Sequence, residues 1–135
     1  TYPIIEEIIQ NKEDNLFLYI LSSVISICRF LKIGTTIITS STIPIDHSLS
    51  GENKVLDFCQ KLEANIYINA IGGQELYDKE SFQKIGCDLQ FIKSDQINYN
   101  QFYEPFVPNL SVLDLMMFNK KEDIRNMLTQ YSIIQ

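Results

Sequence analysis

Apolar residues recur at helical spacing near the start of the chain. Ile4, Ile5, Ile8 and Ile9 fall on one face of a helix predicted over residues 3–12. The polar break from Asn11 to Asn15 follows, and Asp14 or Asn15 is placed to cap a second helix running to about Lys32. Apolar side chains cover most of that helix's circumference, from Leu16 and Phe17 through Val24 to Phe30 and Leu31, which predicts packing on more than one side. Gly34 stands in the usual C-terminal stop position. The period then changes: Thr35 to Ser40 is rich in β-branched residues and predicts a strand. After the loop from Ser41 to Gly51, a helix over 52–64 carries Val55, Leu56, Phe58, Cys59 and Leu62 on one face. Ile66 to Ala70 and Asp88 to Lys93 predict two further strands. Between them Asp78 caps a short helix to Ile85 that Gly86 ends. Past a long loop over 94–110, which carries Tyr99, Phe102 and Tyr103, Ser111 caps a helix through Phe118. Asn119 caps a last helix with Ile124, Met127, Leu128 and Tyr131 inward.

Strands alternating with helices of this length form βαβ crossovers and a parallel sheet. The expected fold is therefore α/β. It is a three-layer, Rossmann-like half with a short parallel sheet of about three strands and flanking helices. Residues 1–135 are the length of one domain. The opening Thr1-Tyr2-Pro3, with no Met, reads as a piece cut from a longer protein.

A content of 45% apolar and 21% charged residues suits a globular core and argues against disorder or coiled coil. The net charge of −6 leaves nothing to neutralise a phosphate backbone or an anionic membrane, so neither nucleic acid nor a membrane surface is an expected partner. The most apolar stretch, Leu16 to Ile33, is broken by Ser22, Ser23, Ser26, Arg29 and Lys32, and reads as a buried helix rather than a membrane span. Cys28, Cys59 and Cys87 are odd in number and widely spaced. That indicates neither a disulfide framework nor a metal site, and suits a reducing, cytoplasmic compartment.

Open parallel sheets bind ligands outside the carboxyl ends of their strands. That rule selects three loops: Ser40 to Gly51, Asn69 to Asp78 and Lys93 to Asn109. Gly72-Gly73 after a strand either lets backbone amides approach an anionic group or makes a tight turn with positive φ, most readily at Gly73. Ser40 and Ser41 offer hydroxyls to a ligand or simply bond to nearby backbone. His47, the only histidine, has no nucleophile near it in sequence and reads as a solvated loop residue. Ser111 and Asp114 either present a carboxylate to a ligand or form a capping box. Cys59 and Cys87 read as core.

The segment Tyr67-Ile68-Asn69 with Gly72-Gly73-x-x-x-Tyr77 resembles the WbqC-like protein family. The likeness continues through Phe82, Gly86, Leu89-x-Phe91 and Tyr99-x-Gln101, then Phe106-x-Pro108-Asn109-Leu110-Ser111-x-x-Asp114. Upstream it takes in Ser40-Ser41 and the helix with Leu56, Cys59 and Leu62. Cys87 stands where an aliphatic residue is expected. The resemblance is to the C-terminal half of such proteins, whose own N-terminal half then becomes an expected partner, with a second copy as the other candidate for an exposed apolar face. It implies a bacterial protein of O-antigen or other surface-polysaccharide synthesis, with glycine transfer to a sugar as the suggested activity. The expected ligand is a small molecule or nucleotide-sugar; no cofactor is identified. The alternative is a non-catalytic ligand-binding or assembly module of the same pathway. The candidate substrate-binding set is Ser40, Ser41, Asn69, Gly72, Gly73, Tyr77, Tyr99, Gln101, Asn109, Ser111 and Asp114.

Overall fold

Two of the expected strands form, and they pair in parallel. In the computed structural model, which describes residues 1–102 and 104–135, β1 (Ile66–Ala70) lies beside β2 (Asp88–Ser94) with Ile66 opposite Asp88 and Ala70 opposite Ile92. Tyr103, one of the loop aromatics, lies outside the described residues. The chain divides into two units. One comprises residues 1–36 and 96–130, the other residues 37–95 and 131–135.

The second unit holds the sheet. Its third strand is not the β-branched run at 35–40 but β3 (Tyr131–Ile134), which pairs antiparallel with β2 and gives the order β1-β2-β3. The fold is mixed α/β with flanking helices, and one of its two strand pairings is parallel. Residues 35–39 have no regular secondary structure and join no ladder among the described residues. Hydroxyl residues end that run: Thr42 returns both its amide (2.9 Å) and its hydroxyl (2.8 Å) to the Thr39 carbonyl, winding Ser40–Thr42 into a 3-10 turn. At the other end, the helix expected to run inward through Tyr131 stops earlier, and the alternating Tyr-Ser-Ile-Ile pairs as a strand.

Alternation along the strands gives the sheet two unlike faces. Leu89, Phe91, Tyr67 and Ile134 point to one side and pack with Cys59 and Val55 of α3 (Gly51–Lys61) and with Phe82 of α4 (Lys79–Lys84). Phe82 is fully buried and its ring stacks on Tyr67 at 5.4 Å, with Tyr77 edge-on at 5.9 Å. On the opposite side Ile66 and Ile68 remain 52% and 50% exposed, so helices cover one face of this sheet. Asp78 caps α4 as its sequence predicts, accepting from the amide (3.0 Å) and hydroxyl (2.9 Å) of Ser81. Those bonds hold its carboxyl below the usual carboxylate range. The Asp78 amide in turn donates to Glu52 at the start of α3, which ties the two helices together. Gly86, at φ 75, ends the turn.

The first unit is helical: α1 (Tyr2–Ile9), α2 (Leu16–Leu31), α5 (Val112–Phe118) and α6 (Lys121–Met127). Its core is Leu31, Met116 and Ile124, ringed by Ile27, Phe30, Val112 and Leu113. Asn15 caps α2 through its side chain, accepting from the Leu18 amide at 3.2 Å. Two expected helix ends are corrected. Lys32, not Gly34, takes the left-handed position after α2 (φ 56), and the Ile33 amide reaches back to the Cys28 carbonyl at 2.8 Å in a Schellman arrangement. Asn119 does not cap α6: Lys120 holds the N-cap position, and the Asn119 side-chain amide instead donates to the Leu115 carbonyl at 3.0 Å and closes α5. α2 packs against both α1 and α6, yet much of its apolar surface stays open among the described residues. Leu31 is its one buried residue, and Leu16 and Phe17 are 71% and 52% exposed.

Two substitutions check this description by thermal and urea unfolding. Phe82→Ala removes the ring around which the sheet unit packs and costs about 3–5 kcal/mol. Lys32→Gly relieves the left-handed residue and gains about 1 kcal/mol.

Candidate functional site

The candidate residues divide between the units. Ser40, Ser41, Asn69, Gly72, Gly73 and Tyr77 belong to the sheet unit; Tyr99, Gln101, Asn109, Ser111 and Asp114 belong to the helical one.

In the sheet unit, Asn69 sits near the carboxyl end of β1 and its side-chain oxygen accepts from the adjacent Ala70 amide at 2.7 Å. The loop that follows is a 3-10 helix, Ile71–Leu76, and neither of its glycines has positive φ. The expectation of a left-handed Gly73 is therefore wrong, and the reason for glycine is room. A Cβ at Gly73 would stand 2.8 Å from Asn69 Nδ2 and 3.6 Å from the Tyr77 ring, while one at Gly72 would meet nothing. Asn69, Gly73 and Tyr77 are thus one packed group, and the Tyr77 ring continues into the Tyr67–Phe82 stack. Burial, followed by the hydroxyl of Tyr77, pushes the Tyr67 phenol up and keeps it protonated. Ser40 and Ser41 are exposed in the 3-10 turn that follows residues 35–39. Ser40 edges an apolar cleft of about 430 Å³ lined by Ile38, Ile43, Phe58, Leu62 and Tyr67.

In the helical unit the long loop is ordered by side chains. Gln101 clamps Val107 from both sides: its amide donates to the Val107 carbonyl and its oxygen accepts from the Val107 amide, each at 2.9 Å. Asn109 takes φ 57 in the turn before α5. Ser111 caps α5, accepting from the Leu113 amide at 3.2 Å. Asp114 does not complete the capping box. Its carboxylate accepts from the Tyr99 hydroxyl instead. Burial and then this acceptor raise the Tyr99 phenol above its ordinary value, so it remains a donor at neutral pH. Aromatic rings surround the pair. Tyr99 meets Phe106 edge-on at 5.5 Å and Phe118 at 6.2 Å, and Phe102 sits against Phe118 at 4.7 Å. A hollow of about 450 Å³ opens between Gln101, Phe102, Val107, Asp114 and Phe118.

Tyr99 and Asp114 are thus brought together, with Gln101 beside them, whereas Ser111 and Asn109 shape the helix start and the turn. Phe102, Phe106 and Phe118 form the wall of this site and are absent from the candidate set. Phe102 was signalled by the aromatic content of the loop and Phe106 by the family motif, whereas Phe118 stands at the end of α5 and carried no signal of its own. Among the described residues no group of three or more His, Cys, Asp or Glu is placed to hold a metal ion.

Close approach at Gly73 generates a test. Gly73→Ala forces Asn69 off its bond to Ala70 and costs about 1 kcal/mol. Gly72→Ala leaves the melting temperature unchanged, and adding Asn69→Ala to Gly73→Ala restores part of the loss. Equal effects at the two glycines would contradict the packing described here.

No helix among the described residues is long and apolar enough to cross a membrane. Neither curated proteins nor solved structures yield a match to this sequence. The profile of the WbqC-like protein family does match, over residues 1–126, a span that includes the Asn69–Gly73–Tyr77 group and the Tyr99–Asp114 pair. The chain belongs to the WbqC-like protein family.

Proposed function

We propose that this protein binds a sugar of bacterial surface-polysaccharide synthesis and acts in the cytoplasm as part of a transferase that modifies it, O-antigen assembly being the setting the family resemblance implies. The observation that carries the reading is the Tyr99–Asp114 pair set in an aromatic wall. Ring faces suit the C–H face of a pyranose, and the pair offers acceptors to sugar hydroxyls: the phenol oxygen, whose one proton goes to Asp114, and the other carboxylate oxygen. The carboxylate is not used up in capping its own helix, so its placement calls for another role. Glycine transfer is the specific reaction this reading favours. A nucleotide-sugar donor and exposed Gly72 contribute to it as expectations only.

A second reading, a non-catalytic binding or assembly module, draws on the thiols. Cys59 and Cys87 are buried in the sheet unit's core, and burial, followed by the neighbouring Cys87, pushes the Cys59 thiol up to about 11, which does not suit a nucleophile.

Asp114→Asn and Tyr99→Phe test the first reading against a panel of nucleotide-sugars and aminoacyl donors followed by thermal shift. Each substitution weakens binding or turnover about tenfold, the loss expected for one hydrogen bond to a charged group; Asp114→Asn, which keeps an acceptor for the Tyr99 hydroxyl, leaves the ligand-free melting temperature nearly unchanged, and Tyr99→Phe lowers it by the loss of its bond to Asp114. Loss of stability with binding intact would make both residues architectural.

A further inference from the structure

The hollow beside Asp114 is unusual in what it lacks. Its wall is apolar and aromatic, with Phe102, Val107, Leu110, Met117 and Phe118, and two of its lining residues, Gln101 and Asp114, are polar. Gln101 has both ends of its amide engaged by Val107, so it has little left for a ligand. Among the described residues, Asp114 accepts one side-chain hydrogen bond, to a single oxygen from Tyr99, and its second oxygen receives none. On the other side of Gln101 a second hollow, of about 390 Å³, is lined by Asn98, Tyr99, Asn100, Glu104 and Phe106, and again carries a carboxylate. No Lys or Arg is among the described residues lining either hollow.

These observations sort ligands by charge. A phosphate or carboxylate placed here would meet charge of its own sign and no cation, and would lose hydration without compensation. A neutral sugar would find stacking surface and one acceptor. A protonated amine gains more: a carboxylate oxygen that receives no donor from the described residues, and the rings of Phe102 and Phe118 in the same wall for cation–π contact, Phe102 being 85% exposed and held against Phe118 at 4.7 Å. The overall charge of −6 draws cations toward the surface as well.

We infer that the hollow beside Asp114 recognises a protonated amine, and that the sugar this protein binds is an amino sugar with its ammonium on the free oxygen of Asp114 and its ring against Phe102 and Phe118. The sugar half of this inference rests on the function proposed above; the ammonium half rests on the hollow alone. Any nucleotide or phosphate of a larger ligand then lies away from this hollow.

Amide chemical shifts of the isotope-labelled chain, followed during titration with glucosamine, N-acetylglucosamine, benzylamine and benzyl alcohol, separate the two halves. Glucosamine is expected to shift the signals of Phe102, Asp114 and Phe118 and to bind about tenfold more tightly than N-acetylglucosamine, which keeps the ring but has no charge. Benzylamine is expected to bind there in preference to benzyl alcohol, on the unmodified chain, with no dependence on a variant's folding. Asp114→Asn keeps an acceptor for Tyr99 and removes the charge; it is expected to abolish both preferences. Equal binding of the two sugars, with benzylamine no better than benzyl alcohol, would overturn the ammonium inference and leave the sugar reading standing. Benzylamine binding at these residues with neither sugar binding would support the ammonium pocket and overturn the sugar reading. No shift at Phe102, Asp114 and Phe118 with any of the four would overturn both.

Discussion

Two strands that run the same way cannot be joined by a tight turn, so the chain leaving β1 must travel back along the sheet before β2 can begin. That constraint organises the sheet unit. The return path is the 3-10 helix Ile71–Leu76 followed by α4, and it closes only because Phe82 drops from α4 onto Tyr67 and fills the space between helix and strand. Gly73 is small because this path passes so near the end of β1 that Asn69 occupies the place of a side chain. Asp78 and Glu52 then fix where α4 starts relative to α3. The packed core and the tight loop are two results of one topological requirement.

Several caps were legible from local sequence, whereas pairings between distant segments were not. Asn15, Asp78 and Ser111 each satisfy an amide two or three residues away, so residue type and position suffice to place them. β1 and β2 were evident from short apolar runs between turn signals. The run at 35–40 carries the same signal, yet a strand is defined by its partner, and none of the described residues pairs with it. β3 was missed for the converse reason. Tyr131 also fits the helical repeat that begins at Ile124, and only its pairing with Ser94 on β2 decides the matter.

The candidate site shows the same division. Tyr99, Gln101 and Asp114 were selected by a loop-end rule and by family motifs, neither of which specifies how they touch. Their chemistry depends on which acceptor wins the Tyr99 hydroxyl and which donor wins the Asp114 carboxylate. A capping box was the simplest expectation for Asp114, and it competes for the same oxygens. The aromatic wall prevails because Phe106 and Phe118 hold the Tyr99 ring where its hydroxyl meets Asp114. Wall residues such as Phe118 lie on the helix that follows the loop, so composition of the loop alone underestimates the site.

The order β1-β2-β3 leaves β1 and β3 as outer strands, and β1 presents Ile66 and Ile68 to solvent beside a row of backbone groups that no strand among the described residues has taken. Such an edge is a template for adventitious strand addition, and nothing in Ile66-Tyr67-Ile68-Asn69-Ala70 supplies the lysine or proline that commonly blunts one. The remaining defence is colloidal. At neutral pH copies of the chain repel through a charge of −6, and that repulsion vanishes near the isoelectric point of 4.7. Salt shortens its reach to about 8 Å at physiological ionic strength, so the protein's tendency to clump is governed by its ionic surroundings as much as by its fold.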